Sequence, residues 1–357
     1  MNHYLKRYKS LSRKLLTGFL ILLAPLLPHL ALSQENGVPE IQQTTPEQQQ
    51  ELYNQLAEKT YFAHQETDEQ GNIIYVCFNQ MGPFKKNNPD AQGLTGEDLA
   101  QFVKFPKLEG FTLQGQPLRP EDYAVFQAFP DLKVAGLKNL ATNAELPDDL
   151  DYAPALRYFK DMKNLLVLDL THSFGLQDNE PVLNELEFPE LETLIVDVGY
   201  SDDFDELMPL IEKSPKITRL KLHRCPFSDE QMKQILDALP NLVWLEMKPR
   251  GNTPGKNWSH ESLALIPQYP NIQYLRLIHG HALPLPWEDG LEHLADAKNL
   301  KLLQFPNSDD PEKAVKEEDL KKLQEALPNL QINPDRNAEV WDERPNPVDY
   351  KWDYGPN

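Results

Sequence analysis

Only two of the 357 residues are cysteine, Cys77 and Cys225, which leaves room for at most one disulfide. No G-x-S-x-G, H-E-x-x-H, P-loop or G-x-G-x-x-G run occurs. The usual signatures of serine hydrolases, zinc proteases and nucleotide sites are therefore missing. His279-Gly280-His281 places two histidines at a metal-binding spacing, but no third ligand follows from the sequence. Cys77 has no evident His/Asp companion. These absences predict a non-catalytic protein without metal or cofactor. Basic residues are scarce too: 35 Lys and Arg stand against 55 Asp and Glu, a formal charge of −20. Such a balance disfavours nucleic acid and anionic lipid as partners.

The chain opens with its one long apolar stretch. Lys6, Arg7, Lys9, Arg13 and Lys14 precede the run from Leu15 to Leu32, and Ala31-Leu32-Ser33 suits a small-residue cleavage site. Residues 1–33 thus read as a secretory signal, cleaved after about Ser33, for a secreted or periplasmic protein. Pro25, Pro28 and His29 weigh against the alternative, an uncleaved membrane anchor. Loss of five basic residues takes the formal charge from −20 to −25 over the remaining 324 residues. No membrane span is expected after cleavage. Residues 34–59 read as a polar leader and a short helix. Residues 60–94 read as an N-terminal hairpin cap, with Tyr61 and Phe62 on one side, a DEQGN turn and the run Ile73–Phe78.

From residue 95 to 332 the chain repeats itself. A tetrapeptide precedes each strand: FPKL at 105, FPDL at 129, MKNL at 162, FPEL at 188, SPKI at 214, LPNL at 239, YPNI at 269, AKNL at 297 and LPNL at 327. Proline at the second position ends the preceding helix, because it lacks an amide donor. The fourth residues, Leu108 to Leu330, fall 24 to 33 residues apart. Two apolar positions follow each of the first eight, as in Phe111/Leu113, Leu220/Leu222 and Leu303/Phe305, on one strand face. Helix starts lie between strands at 95, 119, 201, 228, 259, 286 and 315, with acidic residues in their first turns. Ser228 and Gln231 fit a capping box.

The unit L-x-x-L-x-L-x-x-C/N followed by a helix resembles the leucine-rich-repeat superfamily. CPFSDEQMKQILDALPNL at 225 is similar to its helical, ribonuclease-inhibitor-type repeats. The resemblance implies an α/β solenoid, a curved horseshoe with a parallel β-sheet on the concave face and helices on the convex face. It also implies protein binding. The C/N position is filled well only by Cys225; Gln116, Gly199, Arg250, Gly280 and Ser308 stand at others, so uneven curvature and irregular loops are expected. With Cys77 ahead of the first repeat and Cys225 in the fifth, about four strand spacings put them roughly 19 Å apart. That exceeds the ~7 Å limit for a disulfide, so none is expected. Cys225 reads as a buried thiol. Residues 333–357, with Trp341, Tyr350, Trp352 and Tyr354, read as a C-terminal tail or cap, or as a docking peptide.

Alternation along the strands predicts which residues face away from the helices. Arg219, Lys221 and His223, then Trp244, Glu246 and Lys248, then Tyr274, Arg276 and Ile278 form a basic and aromatic row, with Arg224, Arg250 and His279 just beyond. Exposed Trp, Tyr and Arg are the types that concentrate binding energy. Earlier strands offer Thr112, Asp169, Thr193, Ile195 and Asp197, a partly acidic surface. The expected ligand is a protein. A glycan bound on the Trp244/Tyr274 platform is the alternative.

Overall fold

The computed structural model describes residues 39–138, 153–171, 182–197, 204–223, 227–248, 259–277, 287–288, 290–304 and 315–333. Residues 1–33 expected to be a signal, the tail beyond Asn333, Arg224, Cys225, Arg250, Ile278 and the His279-Gly280-His281 pair lie outside the described residues.

Eleven strands run β1 (Phe62–Thr67), β2 (Ile73–Asn79), β3 (Gly110–Gln114), β4 (Val134–Lys138), β5 (Val167–Leu170), β6 (Thr193–Asp197), β7 (Arg219–His223), β8 (Trp244–Lys248), β9 (Tyr274–Leu277), β10 (Leu302–Gln304) and β11 (Gln331–Asn333). They lie in one open sheet in sequence order. Strands β1 and β2 form an antiparallel hairpin; every later pair is parallel. A sheet in which each strand pairs only with its chain neighbours is that of a repeat solenoid.

The tetrapeptides explain the regularity. In all nine, the amide of the fourth residue donates to the carbonyl of the first, at 2.9–3.2 Å. The fourth residue therefore closes a turn, and the strand begins after it. Seven times, one carbonyl then accepts the first two amides of the next unit, as Glu192 does from Thr218 and Arg219. Asparagine at the third position adds a further tie: Asn271 donates to the Pro240 carbonyl at 2.9 Å, and Asn299 to that of Pro270 at 2.8 Å.

Helices α1 (Pro46–Ala57), α2 (Gly96–Ala100), α3 (Ala153–Leu156), α4 (Val182–Glu185), α5 (Phe204–Glu212), α6 (Asp229–Ala238), α7 (His260–Leu265) and α8 (Glu317–Ala326) lie mostly between strands. Two expected helices, at 119 and 286, are 3-10 turns instead, Pro120–Ala128 and Leu291–Asp296. The Ser228–Gln231 capping box forms as expected, at 3.2 and 2.9 Å. Helix α1 starts on a second box, Thr45 with Gln48, and buries Leu52, Tyr53 and Leu56 in the main core.

The core lies between helices and sheet. Phe111, Leu168, Leu194, Leu220, Leu245, Leu275 and Leu303 point into it with Leu113, Leu170, Val196, Leu222, Met247 and Leu277. The anticipated apolar pairs thus occupy the anticipated face, apart from Phe305, which lies outside the described residues. Gln116 is also informative: its side chain donates to the Phe78 carbonyl at 3.0 Å and accepts from the Leu94 amide at 2.9 Å. At this position the glutamine amide reaches the backbone of neighbouring segments, a bond that its departure from C/N had placed in question. The other five C/N positions are outside the described residues.

Helix packing also runs from unit to unit through a carboxylate. Asp229 of α6 accepts from the Ser259 amide (2.7 Å) and hydroxyl (2.6 Å) and from the Ser262 amide (3.1 Å), at the start of α7. Burial pushes the Asp229 carboxyl up, but the bonds from Ser259 and Ser262 outweigh it and hold it below its ordinary value. Asp229→Ala leaves those amides without an acceptor, and should cost about 1–3 kcal/mol in urea unfolding. The α7 amides should lose exchange protection first.

Candidate functional site

The face of the sheet turned away from the helices carries the functional candidates, and the parallel register sets them in rows. In one row Val167, Thr193, Arg219, Trp244 and Tyr274 are direct neighbours across β5–β9. In the next, Asp169, Ile195, Lys221, Glu246 and Arg276 follow one another in the same way. Beyond them His223 stands opposite Lys248, whose side chain is not among those described. The register thus sets the described members of this group in rows, as the alternation along the strands predicts.

Its expected exposure is overturned. Arg219 and Lys221 are each 4% exposed, Trp244 2% and Glu246 1%; His223, Tyr274 and Arg276 are half-buried. Strand spacing of about 4.8 Å packs long side chains of adjacent strands against one another, and charges so packed must pair. Glu246 sits at the centre. His223 Nε2 lies 2.6 Å from its Oε1, and Arg276 Nη1 donates to its Oε2 at 3.1 Å. Burial alone would push the Glu246 carboxyl up; the charges of Lys221, His223 and Arg276 and the His223 bond overcome this and hold it down to about 2. It is a fixed carboxylate.

Trp244 is enclosed as well. Its ring stacks on Tyr274 with centroids 5.3 Å apart at 21°, and the Arg219 guanidinium lies over it at 5.9 Å. Arg219 and Tyr274 come from the strands on either side, so the indole is held between them. The platform expected for a sugar is therefore not open in this structure.

Several polar atoms of this row are left without hydrogen bonds. Arg219 Nε and Nη2 are shielded from solvent and have no hydrogen-bond partner, and neither has Thr193 Oγ1 next to it in register. Alternation could place Arg219 here, but nothing in the sequence marks its missing acceptor.

The earlier half of the same face differs. Tyr75, Cys77, Val134 and Val167 form a small apolar cluster. The Tyr75 ring crosses Gly110, where a Cβ would come within 2.8 Å of Val134 Cβ, and its hydroxyl donates to Thr112 Oγ1 at 2.7 Å. Cys77 is a buried free thiol, pushed up to about 12 by burial, and so is unreactive. Asp169, Thr112, Thr193 and Ile195, read as surface from sequence, are buried; Lys138 pairs with Asp169 at 3.1 Å. The Asp197 side chain is not described. Among the described residues, no group of three or more His, Cys, Asp or Glu is placed to hold a metal.

Fold and site together define a repeat solenoid with a densely charged sheet face. Neither a family model nor a curated protein matches the chain. Among solved structures, a chain in the crystal structure of the Rad7 and Elc1 complex in yeast is similar at 17% identity and a TM-score of 0.48. The match covers 67% of this chain and 60% of that one.

Proposed function

We propose that this chain is an exported, non-catalytic leucine-rich-repeat protein that binds a protein partner through the outward, concave face of β7–β9. The repeat reading draws support from nine identical turns and a sheet in sequence order. Export draws support from the basic and apolar segment ending at Ser33; among the described residues no helix is long and apolar enough to cross a membrane. On this reading α1 and the β1–β2 hairpin cover one end of the solenoid. The observation that carries the binding proposal is the concentration of Arg219, Lys221 and Arg276 on β7 and β9, the two strands that flank β8, in a chain of formal charge −20.

Affinity capture with the purified protein as bait tests it. Tyr274→Ala, at the half-buried rim of the row, should reduce recovery of bound protein several-fold. Lys233→Ala, on the exposed side of α6, should not. Both variants must keep the wild-type circular dichroism. Loss with Lys233→Ala alone would move binding to the helix side and sink the proposal.

A further inference from the structure

We propose that Arg219 and Thr193 form a binding subsite for a carboxylate carried by an acidic peptide segment of the partner. This rests on the protein-binding reading above and specifies its chemistry. Arg219 is 4% exposed, and a guanidinium buried to that degree ordinarily has its N–H groups paired. Here Nε and Nη2, the two donors that lie parallel on one edge of the fork, have no acceptor. That edge is the one that matches two carboxylate oxygens side by side. The guanidinium lies over the Trp244 ring at 5.9 Å, a contact that offsets part of the charge but supplies no acceptor to Nε and Nη2. Thr193 Oγ1, also buried and unpartnered, supplies a third donor from the neighbouring strand.

In the neighbouring row, the Glu246 carboxylate is already engaged by His223 and Arg276. Asp169 is held by Lys138 and by Thr171, which donates to it at 2.9 Å through its amide. Neither serves Arg219. The donors are closed off from water in this structure, so the ligand enters by displacing the side chains that shield them. Once there it is bonded in a low-dielectric setting, where charge-assisted bonds are strongest. A sugar is the poorer fit, because the indole that would stack on it is held between Arg219 and Tyr274.

The test is a titration of the ¹⁵N-labelled protein at fixed ionic strength with three probes: a blocked tetrapeptide of aspartate and glutamate, galacturonate, and inorganic phosphate. The Nε–H resonance absent from Arg219→Met identifies the reporter. It should shift saturably with the peptide, and Arg219→Met should weaken peptide binding by on the order of tenfold or more. Thr193→Val should weaken it less, and Lys133→Met, a cation in the corner before β4 that pairs with Glu109, not at all. Without peptide, Arg219→Met should leave the urea midpoint unchanged or raised, since it removes an unsatisfied charge. A lowered midpoint would assign Arg219 a purely structural role and overturn the subsite. So would an unmoved Nε–H, or a response to phosphate or galacturonate that equals or exceeds the peptide's. A peptide response from a protein that captures no partner would instead sink the binding function and leave the subsite standing.

Discussion

Replacing Glu246 by alanine should lower the unfolding free energy by about 3–5 kcal/mol, the usual result of leaving buried charges without their counterion. Three groups would be affected together: Lys221 beside it in register, His223 at 2.6 Å and Arg276 at 3.1 Å. Denaturant unfolding measures the loss. A change under about 1 kcal/mol would mean that water reaches the network. Acid offers a second view of the same carboxylate. Its value in the fold is about 2, against an ordinary value of 4.5. The depressed value means that its stabilisation is complete above pH 4.5 and disappears as pH falls toward 2. The stability gap between wild type and Glu246→Gln should therefore close across that window. A gap that stayed constant would refute the assignment.

Phe126→Ala should be as costly, about 3–5 kcal/mol. Phe126 stacks on Phe111 with centroids 3.8 Å apart and meets Phe102 edge-on at 5.9 Å and Phe159 at 5.7 Å. Those three partners belong to three successive units of the array, so one deletion opens a cavity that all three border. Phe126→Leu, which keeps most of the volume, should cost markedly less. Equal losses for the two variants would mean that ring packing contributes little. Because a solenoid can unfold in segments, hydrogen exchange should show the loss centred on β3 and the 3-10 turn that carries Phe126.

The contrast between these residues shows what the sequence made legible. Leu220 and Lys221 were both placed on their correct faces by a period of two, and the tetrapeptides marked every corner. Such information is local. Burial of Lys221, Glu246 and Trp244 was not legible, because it depends on what neighbouring strands set beside them. Charge in a sequence suggests water; only the register reveals that Glu246 stands opposite Lys221 and Arg276. The 3-10 form of residues 120–128 was similarly hidden: Pro120 and the acidic first turn signal a helix start but not its pitch. Arg219 was located by its strand, while its unmet donors are a property of geometry alone.

The residue-for-residue register of β2–β11 has a consequence for how this protein can change length. A single residue inserted within β8 would turn Leu245 and Met247 outward and drive Glu246 into the core, since side chains alternate with a period of two. A whole unit inserted between two corner turns would preserve every remaining interface, because each strand bonds only to its chain neighbours. Growth and loss in this molecule are therefore quantised. A span from one tetrapeptide to the next is the smallest piece that can be added or removed without scrambling the faces.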